Sequence, residues 1–207
     1  IPDYTAYEEL LEVFRAFTPM PILVHARDGF RLRPDRLEEA MVGAGLGAVL
    51  FSNPCNPTGQ VLMGEELAQV VASARRLGCA LIIDEFYSHY LYTHDVGRTV
   101  SAARHVEDVD EDPVVLVDGL TKNWRYPGLR ISWAVGPRSV IDGLASAGSF
   151  LDGGPPHPLQ RAVIPLLDPA VADQEARAIQ KTFGEKRAYM LRRLEQIGIE
   201  VARAPRG

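Results

Sequence analysis

Residues 48–84 read AVLFSNPCNPTGQVLMGEELAQVVASARRLGCALIID. The two ends of this stretch, 48–51 and 80–84, are short apolar runs bounded by turn-forming residues, which is typical of buried strands. Between them, residues 64–77 carry apolar side chains at helical spacing. A strand, a helix and a second strand in succession predict a βαβ unit, whose two strands run parallel.

The same alternation continues on both sides of this unit. Other apolar runs predict strands at 22–25, 114–118 and 131–135, and periodic stretches predict helices at 7–17 and 34–42. Beyond these, residues 147–158 are rich in Gly, Ser and Pro, and 169–197 show a long helical pattern. We therefore predict an α/β fold with a mainly parallel sheet and helices on both faces.

The composition narrows the class of protein. With 207 residues, 46% of them apolar, the chain can bury a sizeable core. Its 22 basic and 27 acidic residues form no block of like charge, so we expect neither a nucleic-acid nor a membrane partner. The sequence shows no bilayer-spanning apolar run and no signal-peptide pattern, and its two cysteines, Cys55 and Cys79, are too few for a disulfide framework. We expect a cytoplasmic protein and, because the chain begins at Ile1 rather than Met, a natural protein that is longer.

Three predicted strand ends carry the polar side chains of interest: Asn56 after the second strand, Asp84 and Tyr87 after the third, and Lys122 and Arg130 after the fourth. Taken singly, each fits an ordinary interpretation as a turn residue, a helix cap or a solvated side chain. The carboxyl ends of parallel strands meet at one edge of a sheet, where ligands of open α/β sheets bind. We therefore expect these side chains to lie close together.

One ligand, pyridoxal 5'-phosphate, needs all of these groups. It requires an amine for its aldehyde, a carboxylate for its ring nitrogen, donors at its phenolate oxygen and positive charge at its phosphate. These needs are met, in that order, by Lys122, by Asp84, by Asn56 with Tyr87, and by Arg130. The combination resembles fold-type I pyridoxal-phosphate enzymes of the class I/II aminotransferase family, and the resemblance covers nearly the whole chain.

The resemblance implies an architecture as well as a cofactor. Residues 1–168 are expected to form the large domain, incomplete at its N-terminus, around a seven-stranded type of sheet. Residues 169–207 are expected to be a linker helix and the start of a smaller α+β domain. The phosphate-cupping turn and the arginine that clamps the substrate carboxylate fall outside this sequence. Family members are usually homodimers, so we expect a homodimer here.

The resemblance also assigns roles to the site residues. Lys122 is expected to form the Schiff base with the cofactor and to carry the proton between the substrate Cα and the cofactor C4′. Asp84 is expected to pair with the pyridine nitrogen, while Asn56 and Tyr87 hold the ring oxygen. Arg130, with its planar guanidinium, is expected to bind the phosphate.

Two further positions are less closely matched to the family. Tyr4 falls where the family places an aromatic ring stacked on the pyridine, although an aromatic residue beside a helix start is also a common packing residue. The family often has Ser or Thr three residues before the lysine as a phosphate donor, but this chain has Gly119 there. Thr121 offers a hydroxyl instead. No metal site is expected.

The resemblance implies transfer of an α-amino group from an amino acid to a 2-oxo acid. The same residues also serve elimination, cyclisation and replacement enzymes, and an aminotransferase-like domain can act as the ligand sensor of a transcription regulator. Residues 149–156 lack the arginine that reads a second carboxylate, which disfavours a dicarboxylate substrate. Within them, Asp152 suits either a cationic substrate or the start of a Gly-rich loop, and we interpret His157 as a loop residue.

Overall fold

A four-stranded sheet forms the centre of the fold in the computed structural model, which describes residues 2–14, 17–93 and 95–202. Its strands lie in chain order: β1 (Ala48–Ser52), β2 (Ala80–Asp84), β3 (Val114–Gly119) and β4 (Ser132–Val135). β1, β2 and β3 are parallel, and β4 pairs antiparallel with β3. The carboxyl ends of the first three strands and the start of β4 therefore lie at the same edge.

Helices flank the sheet along the described chain: α1 (Ala6–Phe14), α2 (Pro34–Gly43), α3 (Glu65–Leu77), α4 (Arg138–Leu151), α5 (His157–Val163) and α6 (Pro169–Gln196). The ends of α3 follow from its sequence. Two glutamates lie in its first turn and two arginines in its last, each favourable to the helix dipole. Gly78 then ends the helix in the left-handed conformation that glycine adopts at low cost.

Two apolar clusters make up the core. The larger contains the inward residues of β1 and β2, such as Phe51 and Ile83, packed with buried residues of α2 and α3. The smaller contains Leu120, Trp124, Ile131 and Val163, and Trp133 packs against it. This second cluster lies directly behind the loop that joins β3 to β4, and it fixes the loop that carries Lys122.

The predicted α/β class is confirmed, whereas several local predictions are wrong. Residues 22–25 are not a strand: Ile22 packs against the core and Leu23 is 63% exposed, but the run does not pair with the sheet. A short 3₁₀ helix, Ala102–His105, is the helical element between β2 and β3 in the described chain, so strand and α-helix do not alternate there. The sheet of the described residues has four strands, and the seven-stranded type of sheet that the resemblance implies stays a prediction.

The stretch 147–158 is also more helical than predicted. α4 continues to Leu151, and α5 begins at His157, so the Ser and Gly residues up to 149 do not end the helix. The break comes at Gly153 and Gly154, which both have positive φ. His157 is therefore a helix residue and not a loop residue.

The long helix α6 begins at a capped end, where the Asp168 carboxylate accepts a hydrogen bond from the Ala170 N–H. Its first half is attached to the rest of the fold: Ala176, Ile179 and Gln180 are buried. The division of the chain at 168/169 stays a prediction. Among the described helices, none combines the length and the apolar character needed to cross a membrane.

Candidate active site

The site residues gather where β1, β2 and β3 end and β4 begins. Ser52 pairs with Asp84 in the β1–β2 register, and Gly119 pairs with Ser132 in the β3–β4 register. This is the edge at which open α/β sheets bind ligands. The prediction that polar side chains meet at this edge concerns five residues: Asn56, Asp84, Tyr87, Lys122 and Arg130.

Asp84 ends β2 with both carboxylate oxygens engaged. The Phe86 N–H donates to one oxygen at 3.0 Å, and the Tyr7 hydroxyl donates to the other at 2.5 Å. Burial and this hydrogen bond raise the pKa of Tyr7 well above its usual value, so the hydroxyl stays protonated as the donor. A carboxylate oxygen can accept more than one hydrogen bond, so Asp84 keeps acceptor capacity for a ligand.

The N-terminal segment is held against the same edge through Asp3. Its carboxylate accepts a hydrogen bond from the Ser52 hydroxyl at 2.5 Å and one from the Ser52 N–H at 3.2 Å. These bonds bring Tyr4 and Tyr7 to the end of β1, where their rings contact each other edge to face at 5.5 Å. Tyr4 is 47% exposed.

Lys122 lies in the loop after β3 with its side chain exposed. Its Nζ is 5.9 Å from the centre of the Tyr87 ring, and within the described ranges it forms no ion pair. The loop backbone is fixed from outside, because the Tyr90 hydroxyl donates to the Lys122 carbonyl at 3.2 Å. Arg125, a bulky residue in this loop, pairs with Glu175 of α6. The lysine amine is therefore free to react while its backbone is held.

Beneath the lysine, Asn123 is fully buried and joins the ends of β2 and β3. The two hydrogens of its amide nitrogen are shared among three acceptors within hydrogen-bond distance: the Glu85 carbonyl at 3.1 Å, the Ser88 hydroxyl at 3.0 Å and the Asp118 carboxylate at 2.9 Å. Its amide oxygen accepts the His89 N–H at 3.1 Å. A buried polar side chain with all its groups satisfied fixes one arrangement of the surrounding loops.

Two acidic side chains beside this asparagine have perturbed protonation. Burial raises the pKa of Glu85 to about 7, although the Ala102 N–H donates to its carboxylate. Burial also raises the pKa of Asp118 to about 7, and the nearby Glu85 adds to the effect. Burial lowers the pKa of His89, whose ring contacts that of Trp124 at a tilt of 51°, with the ring centres 5.0 Å apart. Below neutral pH the two carboxyl groups are therefore largely protonated, and the lowered pKa of His89 favours its neutral form.

The remaining predicted residues occupy the rim of the site. Asn56 is half-buried, its N–H donates to the Ser52 hydroxyl at 3.1 Å, and the Asn56–Pro57 peptide bond is cis. Thr121 is half-buried directly before the lysine. Arg130 is exposed and donates to the Pro127 carbonyl at 3.1 Å, which leaves most of its guanidinium donors available.

The Asp152 carboxylate has a hydrogen-bond partner within its own loop. It follows the last residue of α4, and its carboxylate accepts a hydrogen bond from the Gly154 N–H at 2.8 Å. This contact within one turn supports the interpretation of Asp152 as the start of a Gly-rich loop.

Three contributors to the site were not predicted: Tyr7, Asp3 and Asn123. Tyr7 lies in the first turn of α1 and its ring contacts that of Tyr4, but Tyr4 precedes the helix, so helical spacing does not predict this contact. Nothing local to Asp3 or Asn123 indicates their partners, because Asp3 bonds to a residue 49 positions away and Asn123 to one 38 positions away.

An exposed amine, a carboxylate and a guanidinium follow the strands at the edge of a mainly parallel sheet where α/β enzymes bind their ligands. The comparison with known sequences identifies the family: the chain matches "Aminotransferase class I and II" along residues 1–207. The chain belongs to the class I and II aminotransferase family.

Individual relatives agree with this assignment. The "Probable N-succinyldiaminopimelate aminotransferase DapC" of Mycobacterium tuberculosis is 29% identical over 97% of this chain and 49% of the relative. Among solved structures, the aspartate aminotransferase of Thermus thermophilus with maleate has a TM-score of 0.85 at 26% identity, over 100% of this chain and 52% of its own. The N-succinyldiaminopimelate aminotransferase structure from Mycobacterium tuberculosis has a TM-score of 0.81 at 27% identity, over 99% and 51%. The chain thus spans about half the length of the relatives it matches.

Proposed function

We propose that this chain forms most of the cofactor-binding domain of a pyridoxal-phosphate-dependent aminotransferase. The observation that carries the proposal is Lys122: an exposed amine with no ion pair in the described parts of the chain, on a rigidly held loop beside Tyr87. Most surface lysines are solvated on flexible segments. A lysine whose backbone is fixed and whose amine is unpaired is suited to attach a carbonyl ligand.

The surrounding donors and acceptors fit the cofactor. Asp84 keeps acceptor capacity for the N–H of a pyridinium ring, and the Tyr7 hydroxyl holds it in one orientation. Tyr87 and Asn56 supply a phenol and an amide for the ring oxygen. Arg130 has a guanidinium that is free on most of its edges, which suits a phosphate dianion.

Each site residue has its own role in amino transfer. Bound pyridoxal phosphate supplies an electron sink for the negative charge that develops at the substrate Cα. Lys122 would hold the cofactor through its aldehyde, and its amine would act as the base that takes the proton from the substrate Cα. Asp84 keeps a proton on the ring nitrogen. Arg130 and Thr121 would bind the phosphate, and Tyr4 would pack on the ring.

We propose amino acids and 2-oxo acids as substrates, because the related proteins are named as aminotransferases. We also propose a cytoplasmic homodimer. Several large apolar side chains of α4 are exposed, among them Phe150 at 90% and Leu151 at 73%. Exposed apolar surface of this kind is typical of faces that other protein surface covers.

The first test uses the full-length protein and the variant Lys122→Ala. We expect the parent to absorb in the near-ultraviolet or visible range with pyridoxal phosphate and to give a borohydride-stable adduct on Lys122, detected by peptide mass spectrometry. The variant should lose the adduct, whereas Lys181→Ala, which removes an exposed lysine of α6, should keep it. An adduct that survives unchanged in Lys122→Ala contradicts the assignment.

The second test separates amino transfer from elimination. With an amino acid added, an aminotransferase converts the cofactor to its amine form, and a 2-oxo acid converts it back. We expect this cycling in absorbance without release of ammonia. Release of ammonia or of a side-chain leaving group without cycling contradicts amino transfer.

A further inference from the structure

The close approach of β3 and β4 explains why residue 119 is a glycine. Gly119 pairs with Ser132 in the register of the two strands. A Cβ added to Gly119 would lie 2.7 Å from the Ile131 carbonyl oxygen and 2.9 Å from both the Cα and the Cβ of Ser132. Such distances are too short for a real Cβ and involve mainly backbone atoms, which cannot move aside easily. Position 119 therefore has no room for a side chain, and no hydroxyl can be placed there.

Ser132 occupies the face of the sheet toward which residue 119 would point. Directly paired residues of antiparallel strands have their side chains on the same face. The neighbours Ile131 and Trp133 both pack into the apolar cluster behind the loop, so Ser132 between them faces the opposite side. Ser132 is exposed, and its hydroxyl forms no hydrogen bond with any residue that the structure describes.

The position of Ser132 also relates it to the predicted phosphate ligands. It starts β4 at the same edge at which β1, β2 and β3 end, and it follows Arg130 by two residues. A phosphate dianion accepts hydrogen bonds from hydroxyl groups as well as from guanidinium groups, and these bonds are strengthened by its charge. An unpaired hydroxyl beside Arg130 is therefore suited to the same anion.

We propose that the Ser132 hydroxyl donates a hydrogen bond to the phosphate of pyridoxal phosphate and so replaces a hydroxyl that position 119 cannot carry. This inference rests on the proposed function. It assigns a cofactor-binding role to a residue that was not predicted from the sequence. The hydroxyl that the family often carries at the position of Gly119 is supplied here from the neighbouring strand.

The test compares two ligands that differ in the phosphate alone. Cofactor-free full-length protein is titrated with pyridoxal phosphate and with pyridoxal, for the parent and for Ser132→Ala. Loss of one hydrogen bond to a charged group should weaken pyridoxal phosphate binding about 10-fold. Binding of pyridoxal should not change. Ser139→Ala removes an exposed serine beyond the other end of β4 and should bind both ligands like the parent.

Four results would overturn the inference. An equal affinity for pyridoxal phosphate in the parent and Ser132→Ala overturns it, and so does an equal loss for both ligands. Ser132→Thr keeps the hydroxyl and should bind pyridoxal phosphate like the parent, so a threonine variant as weak as the alanine variant also overturns it. A parent protein that forms no adduct on Lys122 overturns the proposed function together with this inference, which distinguishes the two failures.

Discussion

Neutralising the two buried carboxyl groups beside Asn123 should change how stability depends on pH. Burial raises the pKa of both Glu85 and Asp118 to about 7, far above the usual values of these side chains. The folded protein therefore holds two protons between pH 5 and 6.5 that the unfolded chain has already released. A carboxyl group whose pKa is higher in the folded protein than in the unfolded chain makes its full contribution to stability at low pH. This contribution is lost as the pH rises toward 7.

The magnitude follows from the proton count. Each carboxyl that is protonated in the folded state and ionised in the unfolded state lowers the free energy of unfolding by about 1.4 kcal/mol per pH unit. Two such groups give about 3 kcal/mol per pH unit between pH 5 and 6.5. His89 acts in the opposite direction below its usual pKa, because burial lowers its pKa and the folded state then binds the proton less readily.

The assay compares the parent with Glu85→Gln, Asp118→Asn and the double variant in urea-unfolding experiments at a series of pH values. Trp124 and Trp133, the two tryptophans of this sequence, lie in the cluster behind the loop and report its unfolding by fluorescence. Differences between variant and parent cancel the His89 contribution. We expect each single variant to remove about half of the two-carboxyl slope and the double variant to remove it all. A double variant whose unfolding free energy follows the parent at every pH refutes the reasoning.

Two further substitutions test contacts of the site. Tyr7→Phe removes the hydroxyl that donates to Asp84 and should lower the free energy of unfolding by about 1–2 kcal/mol in urea titrations. Tyr4→Phe, whose hydroxyl has no hydrogen bond in the described part of the chain, should have little effect, and equal effects of the two variants count against the Tyr7 bond. Gly119→Ala should lower stability by about 1–3 kcal/mol in thermal unfolding, because the added Cβ meets backbone atoms. The control Gly128→Ala adds a Cβ with no neighbour within 4 Å, and a Gly119→Ala protein as stable as this control contradicts the predicted clash.

The buried strands could be predicted from the sequence because their signal is local. Ala80–Asp84 has the predicted bounds, and Ala48–Ser52 and Val114–Gly119 each extend one residue further than predicted. In an α/β chain, few structures other than a buried strand fit an apolar run of this length that is bounded by turn residues. The apolar run at 22–25 carries the same signal but packs against the core without becoming a strand, because tertiary contacts decide the outcome.

The edge of the sheet at which the site residues gather could also be predicted, since it follows from strand direction alone. The contacts within the site could not. Tyr7 and Asp84 are 77 positions apart, and the crowding at Gly119 arises from the register with Ser132. Such contacts depend on how distant segments pack, which no local pattern records. The roles of Lys122, Asp84, Asn56, Tyr87 and Arg130 stay predictions that the experiments above address.

The buried side chain of Gln180 attaches the long helix α6 to the rest of the fold. Its amide nitrogen donates to the carbonyls of His89 and Arg98, and its amide oxygen accepts the Gly97 N–H at 2.7 Å. Three hydrogen bonds from one buried side chain fasten the first half of α6 to the segment that follows β2. Because Gln180 is buried as well as hydrogen-bonded, these bonds oppose separation of the first half of α6 from that segment.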